Sequence, residues 1–521
     1  MPSGSRDSVE QAKLPSPSGY NKNFPLIRAH QKFEQAADQG NHSCSATIFS
    51  FFSSVNRKMM NRISIVGGGV SGLLLAIQLL RDESPQPIDL SVIDKHPGSV
   101  GLAYSTDHDF HLLNVPAYKM SALPDQPNHF VDWLKRTTGR EPDRNGFYPR
   151  RTYRQYIQDT LEETIAMKNA DKRFRMVAGE AVDILPSRRQ IVLASGELLA
   201  CDEAVLALGN PDPAPLSLPD NAYLCQRGYY SSAWSIPRFG EFRRHQKVLI
   251  LGSGLTMVDV VLGLKQAGFG GRITALSTHG FIPMSHIGTV PYEMIDKPWQ
   301  EIDTALEVLR IIRKHFRLAV ANGIAWQAVI DSFRPYTQQV WNHLPLAEKK
   351  TFMEHLRHLW GIARHRMAPH CATQFQEMRD DGRLNIVAGR VRSIHKEADH
   401  DFIIEYRPRG QQHFNRIEAA SIINCMGPQS NYAKMDHPLI KNLLMKEIIR
   451  CDKLHLGLDC TLDGELIGGN GLVSRGFYTI GPPSKGIFWE ITSVPDIRNA
   501  ARSLAKLMTV AIQYPADPGD Q

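Results

Sequence analysis

Two short glycine-rich strings carry the residue types that can hold a dinucleotide. In Gly67-Gly68-Gly69-Val70-Ser71-Gly72, Gly67 permits a tight turn, Gly69 lets a pyrophosphate approach the backbone, and Gly72 lets a helix pack closely on the preceding strand. The amide groups at that helix N-terminus, Ser71 among them, offer donors and positive potential to phosphates. Asp94 stands 22 residues beyond Gly72, at the end of the apolar run Asp89 to Ile93, where a carboxylate can accept hydrogen bonds from an adenosine ribose. The second string, Gly252-Ser253-Gly254-Leu255-Thr256-Met257, offers the same turn but puts Met257 where a small residue would favour close packing. After the next strand, Arg272 to Leu276, comes Ser277-Thr278-His279-Gly280, with no Arg or Lys to hold a ribose 2′-phosphate. NADPH is then less evident than NADH, unless His279, the hydroxyls or Arg272 hold that phosphate.

The elements that must position these turns follow the order strand, turn, helix. Ile63, Ile65 and Val66 lead into the first turn and a helical run from Leu73 to Leu80; Val248 to Leu251 lead into the second and a helix through Val258, Val261 and Leu264. Further strands are expected at Leu384–Val387, Phe402–Tyr406, Ile422–Asn424 and Phe477–Ile480, before a closing helix from Pro495 to Ile512. Leu306, Leu309 and Ile312, then Phe352, Leu356 and Leu359, repeat with helical period, predicting a helical insertion. The fold class is therefore α/β, with two Rossmann-like dinucleotide-binding domains, a helical insertion and a disordered N-terminal tail. The expected boundaries are a tail over 1–58, a first domain over 59–215 and 426–515, a second over 216–295 and 383–425, the insertion over 296–382, and a short tail over 516–521.

Composition excludes several classes. The chain has 521 residues with 60 Lys+Arg against 53 Asp+Glu, and a net charge of +7 this thinly spread gives no nucleic-acid-binding tail. Seven cysteines form no C-x-x-C pair, which disfavours structural disulfides, dithiol redox chemistry and zinc. No window holds 18 consecutive apolar residues and the first 44 are polar, so a soluble, cytoplasmic protein without a membrane partner is expected. Met59-Met60 directly precedes the first strand, and translation is expected to be able to start there.

Two more apolar strands end in glycine, Asp202 to Gly209 and Ile422 to Gly427. With them, and with Gly101-Leu102-Ala103-Tyr104, Leu113-Asn114-Val115-Pro116, Met120-Ser121, Tyr148-Pro149-Arg150-Arg151 and Gly481-Pro482-Pro483 to Trp489-Glu490-Ile491-Thr492, the chain from 61 to 512 resembles the two-dinucleotide-binding-domain flavoproteins. It is most similar to the FAD/NAD(P)-binding group that includes bacterial urate hydroxylase and aspartate N-monooxygenase, and more distantly to the flavin-containing monooxygenases. The resemblance implies FAD and either NADPH or NADH as cofactors, with Gly67, Gly69, Ser71, Gly72, Asp94, Lys95, Tyr104, Asn114 and Met120 along the flavin. It further implies that Gly209 and Gly427 cross between the two domains, that Gly252 and Gly254 serve the nicotinamide dinucleotide, and that Gly481, Trp489 and Thr492 belong to the last flavin loop.

A flavin beside a nicotinamide site implies hydride transfer, after which the electrons need an acceptor. The resemblance implies molecular oxygen, activated as a C4a-hydroperoxyflavin that hydroxylates a small nitrogen-containing substrate. The Phe-x-Gly-x-x-x-His stretch of the Baeyer-Villiger pattern is absent, since Gln226 to Trp234 supplies no histidine, and this disfavours ketone oxygenation. Over 297–370 there are 11 Lys/Arg against 6 Asp/Glu, which suits an anionic substrate under the insertion, with Arg334, Arg364 and Arg366 as candidate ligands. His286 is a further candidate; His355 and His358 are spaced for a metal but lack a completing ligand, so no metal is expected. No catalytic acid or base is identifiable. The alternatives are an oxidoreductase without oxygen insertion and a non-catalytic flavin- or nucleotide-binding sensor.

Overall fold

The computed structural model describes residues 60–511 except 84–87, 237, 244, 295–298 and 397–399. The expected tails over 1–58 and 516–521 lie outside the described residues, as does Met59. The chain builds β1 (Asn61–Val66), β2 (Ile88–Asp94) and β3 (Phe174–Ala178), then a small antiparallel sheet of β4 (Ala181–Leu185), β5 (Gln190–Leu193) and β6 (Leu198–Ala200), then β7 (Glu203–Leu206). Next come β8 (Tyr229–Tyr230), β9 (Lys247–Leu251), β10 (Arg272–Ser277), β11 (Leu384–Lys396), β12 (Phe402–Pro408), β13 (Asn415–Ala419) and β14 (Ser421–Asn424), before β15 (Glu465–Ile467) and β16 (Val473–Thr479). Two sheets result, ordered β15-β16-β7-β1-β2-β3 and β13-β12-β11-β10-β9-β14-β8. Their central strands run parallel, and Ile63 to Val66 of β1 and Val248 to Leu251 of β9 are buried without alternation. Covering a parallel sheet on both faces requires such runs.

The covering helices are α1 (Val70–Arg81), α2 (His129–Thr138) and α3 (Arg150–Met167) in the first part, and α4 (Leu255–Gln266) in the second. Every residue of α1 from Val70 to Leu80 is buried, because the helix packs on α3 and on the closing helix as well as on its sheet. The insertion contains α5 (Ala305–Ala321), α6 (Gln327–Phe333), α7 (Thr337–His343), α8 (Leu346–Thr351), a π-helical turn over Phe352–Leu356, and α9 (Arg357–Arg364). It has its own apolar core around Ile312, Ile330, Phe333 and Val340. The next helix, α10 (Pro369–Asp380), falls within the expected insertion yet packs on α4, burying Cys371, Phe375 and Met378 in the second domain's core. Its apolar face matches that core, so as a packing unit the cover ends near residue 366. The chain closes with α11 (Pro438–Met445) and α12 (Val494–Ala511).

Both crossings between the sheets lie together. Pro213 and Pro428 form an antiparallel bridge, the Gln429 N–H donates to the Asp212 carbonyl at 3.1 Å, and the Asn424 side-chain amide donates to the Ala214 carbonyl at 3.0 Å. A second tie joins helix to helix: Arg150, at the start of α3, donates through Nη2 to Asp259 of α4 at 2.7 Å and through Nε to the Leu112 carbonyl at 3.2 Å. Both partners of this pair are 15% exposed. Truncating one side of so enclosed a pair strands the other charge, a cost of about 3 kcal/mol. Arg150→Met is therefore expected to lower the thermal unfolding midpoint clearly, and a midpoint equal to that of the parent would show that the pair does not hold the two parts together.

Candidate functional site

At the first turn three backbone segments meet at contact distance. A Cβ on Gly67 would sit 2.2 Å from the Ala207 carbonyl oxygen, one on Gly72 2.0 Å from the Gly67 carbonyl oxygen, and one on Gly481 2.3 Å from Ser71 Oγ. Gly67 and Gly481 also have φ of +112° and +79°, which side-chain-bearing residues rarely adopt. Gly69 differs: its added Cβ meets nothing nearer than 3.5 Å, and it caps α1 without any side-chain hydrogen bond. Gly69 thus sits in ordinary contact with Gly101 at an N-terminus of α1 that no side chain caps, and an uncapped helix N-terminus suits a phosphate. The Asp94 carboxylate sits against this turn, accepting from the Gly68 N–H and from the His96 N–H, each at 2.7 Å. Lys95 beside it pairs with Glu180 at 2.8 Å.

The segment from Gly101 to Met120 lines the turn's other side. Gly69 and Val100 form a parallel bridge, and the Val70 N–H donates to the Val100 carbonyl at 3.1 Å. Tyr104 packs on Tyr153 with ring centroids 5.4 Å apart, and burial pushes its phenol up to about 12. Asn114 accepts at its carbonyl from His286 Nε2 at 2.9 Å, which sets the His286 tautomer with the proton on Nε2. Burial, opposed by that hydrogen bond and aided by Arg366, pushes His286 down to about 4, so the ring is neutral near pH 7. Met120 is buried, and the flanking carbonyls of Lys119 and Ser121 accept from Arg498 of α12.

The cover is fastened to the loop that follows Gly481. Trp341 Nε1 donates to the Gly486 carbonyl at 2.9 Å, and its ring stacks on Trp489 at a centroid distance of 4.8 Å. Trp360 Nε1 and Arg364 Nε donate to the two carboxylate oxygens of Glu490, at 2.5 and 3.1 Å. Arg334 donates to Ser493 Oγ and to Asp496 Oδ2, both at 2.9 Å. Glu490 is buried with φ of +73°, a strained conformation for a residue with a side chain, and the Thr492 N–H donates to its carbonyl at 2.6 Å. Trp489 Nε1 is buried and lacks a hydrogen-bond partner among the described residues, leaving one donor in this loop for a bound group.

The second turn is built alike. A Cβ on Gly252 would meet the Cys425 carbonyl oxygen at 2.6 Å, whereas Gly254, the uncapped N-terminus of α4, and Gly427 have nothing within 4 Å. Met257 is fully buried, so the large residue is taken up by the core beneath the turn. Gly209, with φ of +69°, and Gly427 lie where the two crossings begin. The three arginines assigned to the substrate are all engaged. Besides the two at the loop, Arg366 is 1% exposed and donates to Asp331, to the Ala363 carbonyl and to the Gln327 carbonyl. His358 lies against His279 with ring centroids 4.2 Å apart, and no group of three metal-ligating side chains occurs among the described residues. Sequence reasoning missed the Arg150–Asp259 tie, the anchoring of the cover by Glu490 and the Asn114–His286 hydrogen bond, none of which has a sequence spacing to reveal it.

This is the fold of the FAD/NAD(P)-binding flavoproteins. Residues 64–211 match the family described as FAD-NAD(P)-binding. Among solved structures, the chain is similar to the cadaverine monooxygenase of Erwinia amylovora (TM-score 0.61, 11% identity, 89% of this chain and 97% of that one). It is also similar to the L-lysine 6-monooxygenase of Pseudomonas syringae (0.59, 16%, 86% and 99%). The ornithine N-hydroxylase of Kutzneria sp. 744 aligns with TM-score 0.57 at 13% identity, covering 86% and 99%. An uncharacterized protein of Mycobacterium tuberculosis is 22% identical over 351 residues, or 60% of this chain; the chain spans 62% of the length of the curated relatives it matches.

Two outcomes follow from this geometry. Gly69→Glu has room for its Cβ but sets a carboxylate where a pyrophosphate would lie, so the variant should fold and purify without the FAD expected at this turn. A yellow Gly69→Glu protein with full flavin content would remove the turn from the cofactor site. Burial, the largest cause in each case, pushes His111 and His286 down to about 4, against an unfolded value near 6.5. Between those values the unfolded chain binds more protons, so stability is complete above pH 6.5 and is lost as pH falls toward 4. The melting midpoint should drop across that window, and a flat profile would mean that these rings are not enclosed.

Proposed function

We propose that the chain is an FAD-dependent NAD(P)H monooxygenase that places one oxygen atom on the nitrogen of a small amine or amino acid. The carrying observation is the seam between cover and loop, where Trp341, Trp360, Arg334 and Arg364 all bind residues between Gly486 and Asp496. Oxygen transfer in competition with release of peroxide requires a site closed to water, and a plain hydride relay does not. FAD held there would supply the redox chemistry, taking hydride from NAD(P)H and passing the two electrons to molecular oxygen, one atom of which goes to the substrate nitrogen while the other leaves as water. Gly67, Gly69, Gly72 and Asp94 hold its phosphates and ribose; Gly252 and Gly254 receive the nicotinamide dinucleotide. His286, through Asn114, ties the segment after β10 to the segment lining the first site.

The similarity to ornithine, lysine and cadaverine oxygenases supports nitrogen as the acceptor atom. Burial pushes Cys201 and Cys371 up to about 11 and Cys425 and Cys460 higher still, which disfavours these four as thiol acceptors. Arg334, Arg364 and Arg366 each already face a carboxylate, so we assign them to fastening and packing the cover in place of binding a substrate anion. The test is hydroxylated product formed per NAD(P)H consumed, with amino acids, diamines and purines as substrates. Stoichiometric product is expected, and Arg364→Ala should raise NAD(P)H consumption without product as the seam opens. Peroxide alone with every substrate would favour the oxidoreductase without oxygen insertion, and no flavin reduction by either nicotinamide would favour the sensor.

A further inference from the structure

The end of β10 opens into a pocket of about 380 Å³, lined by Thr278 and His279, by Gly389 and Arg390 of β11, and by Arg407 to Gln412 at the end of β12. We propose that Arg390, Arg407 and Arg409, with Thr278 and His279, form a 2′-phosphate site that makes NADPH the chain's reductant in preference to NADH. The proposal rests on the reading of the second glycine turn as the nicotinamide-dinucleotide site.

Position is the first argument. In a strand, glycine turn, helix and strand unit, the adenosine ribose lies over the end of the second strand. Here that strand is β10, and its last residue is joined to the turn: Ser253 Oγ bonds to Ser277 Oγ at 2.8 Å, and Ser277 Oγ accepts from the Gly280 N–H at 3.0 Å. The pocket begins at the next residue. β11 lies parallel to β10 with Ser277 opposite Ala388, and the Arg409 N–H donates to the Ala388 carbonyl at 2.9 Å, which brings the end of β12 to the same place.

Charge is the second argument, and it is independent. Arg390 and Arg407 are directly opposed across the antiparallel pair β11–β12. Like charges in that relation destabilise a sheet unless an anion lies between them. Among the described residues, none of the three guanidinium groups has an ion pair or a side-chain hydrogen bond, in a chain where Arg150, Arg334, Arg364 and Arg366 all do. His279 is pushed below its ordinary range by burial first and then by Arg409, Arg390 and Arg357, so the positive field converges there. At the matching position of the first site stands Asp94, which suits a ribose bearing two hydroxyls; no acid lines the second pocket. Guanidinium forks suit a phosphate dianion.

The experiment is titration of the flavin-loaded full chain with 2′,5′-ADP and with 5′-AMP, for the parent and for Arg390→Ala, Arg407→Ala and Arg409→Ala. All three arginines are exposed, so the variants should fold. The parent should bind 2′,5′-ADP at least about 10-fold more tightly than 5′-AMP, each alanine variant should lose about 10-fold for 2′,5′-ADP alone, and Arg→Lys should retain part of the difference. Equal affinity for the two nucleotides, alongside binding of NADH and NADPH, would overturn the 2′-phosphate site and leave the nicotinamide reading standing. Equal loss of both nucleotides in the variants would likewise overturn it. Failure of every nucleotide and of both nicotinamides to bind would overturn the reading of the second turn as well.

Discussion

Close backbone approach at the first glycine turn is the constraint on which the rest of the structure depends. The Gly67 backbone passes the Ala207 carbonyl, Gly72 passes Gly67, and Gly481 passes Ser71, each at a separation that a single methyl group would destroy. These contacts draw β1, α1, β7 and the chain after β16 to one point, though they come from residues more than 400 apart in sequence. Because α1 is buried from Val70 to Leu80, the turn stands on a helix that cannot shift without disturbing the core. The uncapped helix end is thereby held in a fixed position by the packing around it.

The same loop that closes against Ser71 also carries the cover. Between Gly481 and Asp496 the chain makes the contact to the first turn, takes the strained Glu490 conformation, receives four side chains from the insertion and enters α12. Strain at Glu490 persists because Trp360 and Arg364 hold its carboxylate from one side and the Thr492 amide holds its carbonyl from the other. Movement of the cover would therefore be felt at the loop after Gly481 through hydrogen bonds, without any need for a long relay. The buried Trp341–Trp489 stack gives that junction apolar weight as well as direction.

Charge is distributed in two ways. Arg334, Arg364 and Arg366 of the cover and Arg150 between the two parts are matched by Asp496, Glu490, Asp331 and Asp259, so these four guanidinium groups are already neutralised. Arg390 of β11, and Arg407 and Arg409 at the end of β12, are left unmatched among the described residues and face one pocket. A count of Lys and Arg along a segment cannot distinguish the two cases, because the partner that neutralises each one is distant in sequence.

The sequence by itself determined the α/β class, the two strand, turn and helix units, the register of Asp94 with the first turn and the helical nature of the insertion. Each of these is a local matter of glycine placement, apolar period and short spacing, which neighbouring residues settle between themselves. Only the tertiary structure decided that α10 belongs to the second domain's core, that Arg366 is enclosed, that Arg150 reaches Asp259, and that Arg390 stands across from Arg407 and beside His279. Those outcomes depend on which strand pairs with which and on which helix face meets which sheet. Such pairings are set by burial summed over the whole chain, and no spacing within a segment records them.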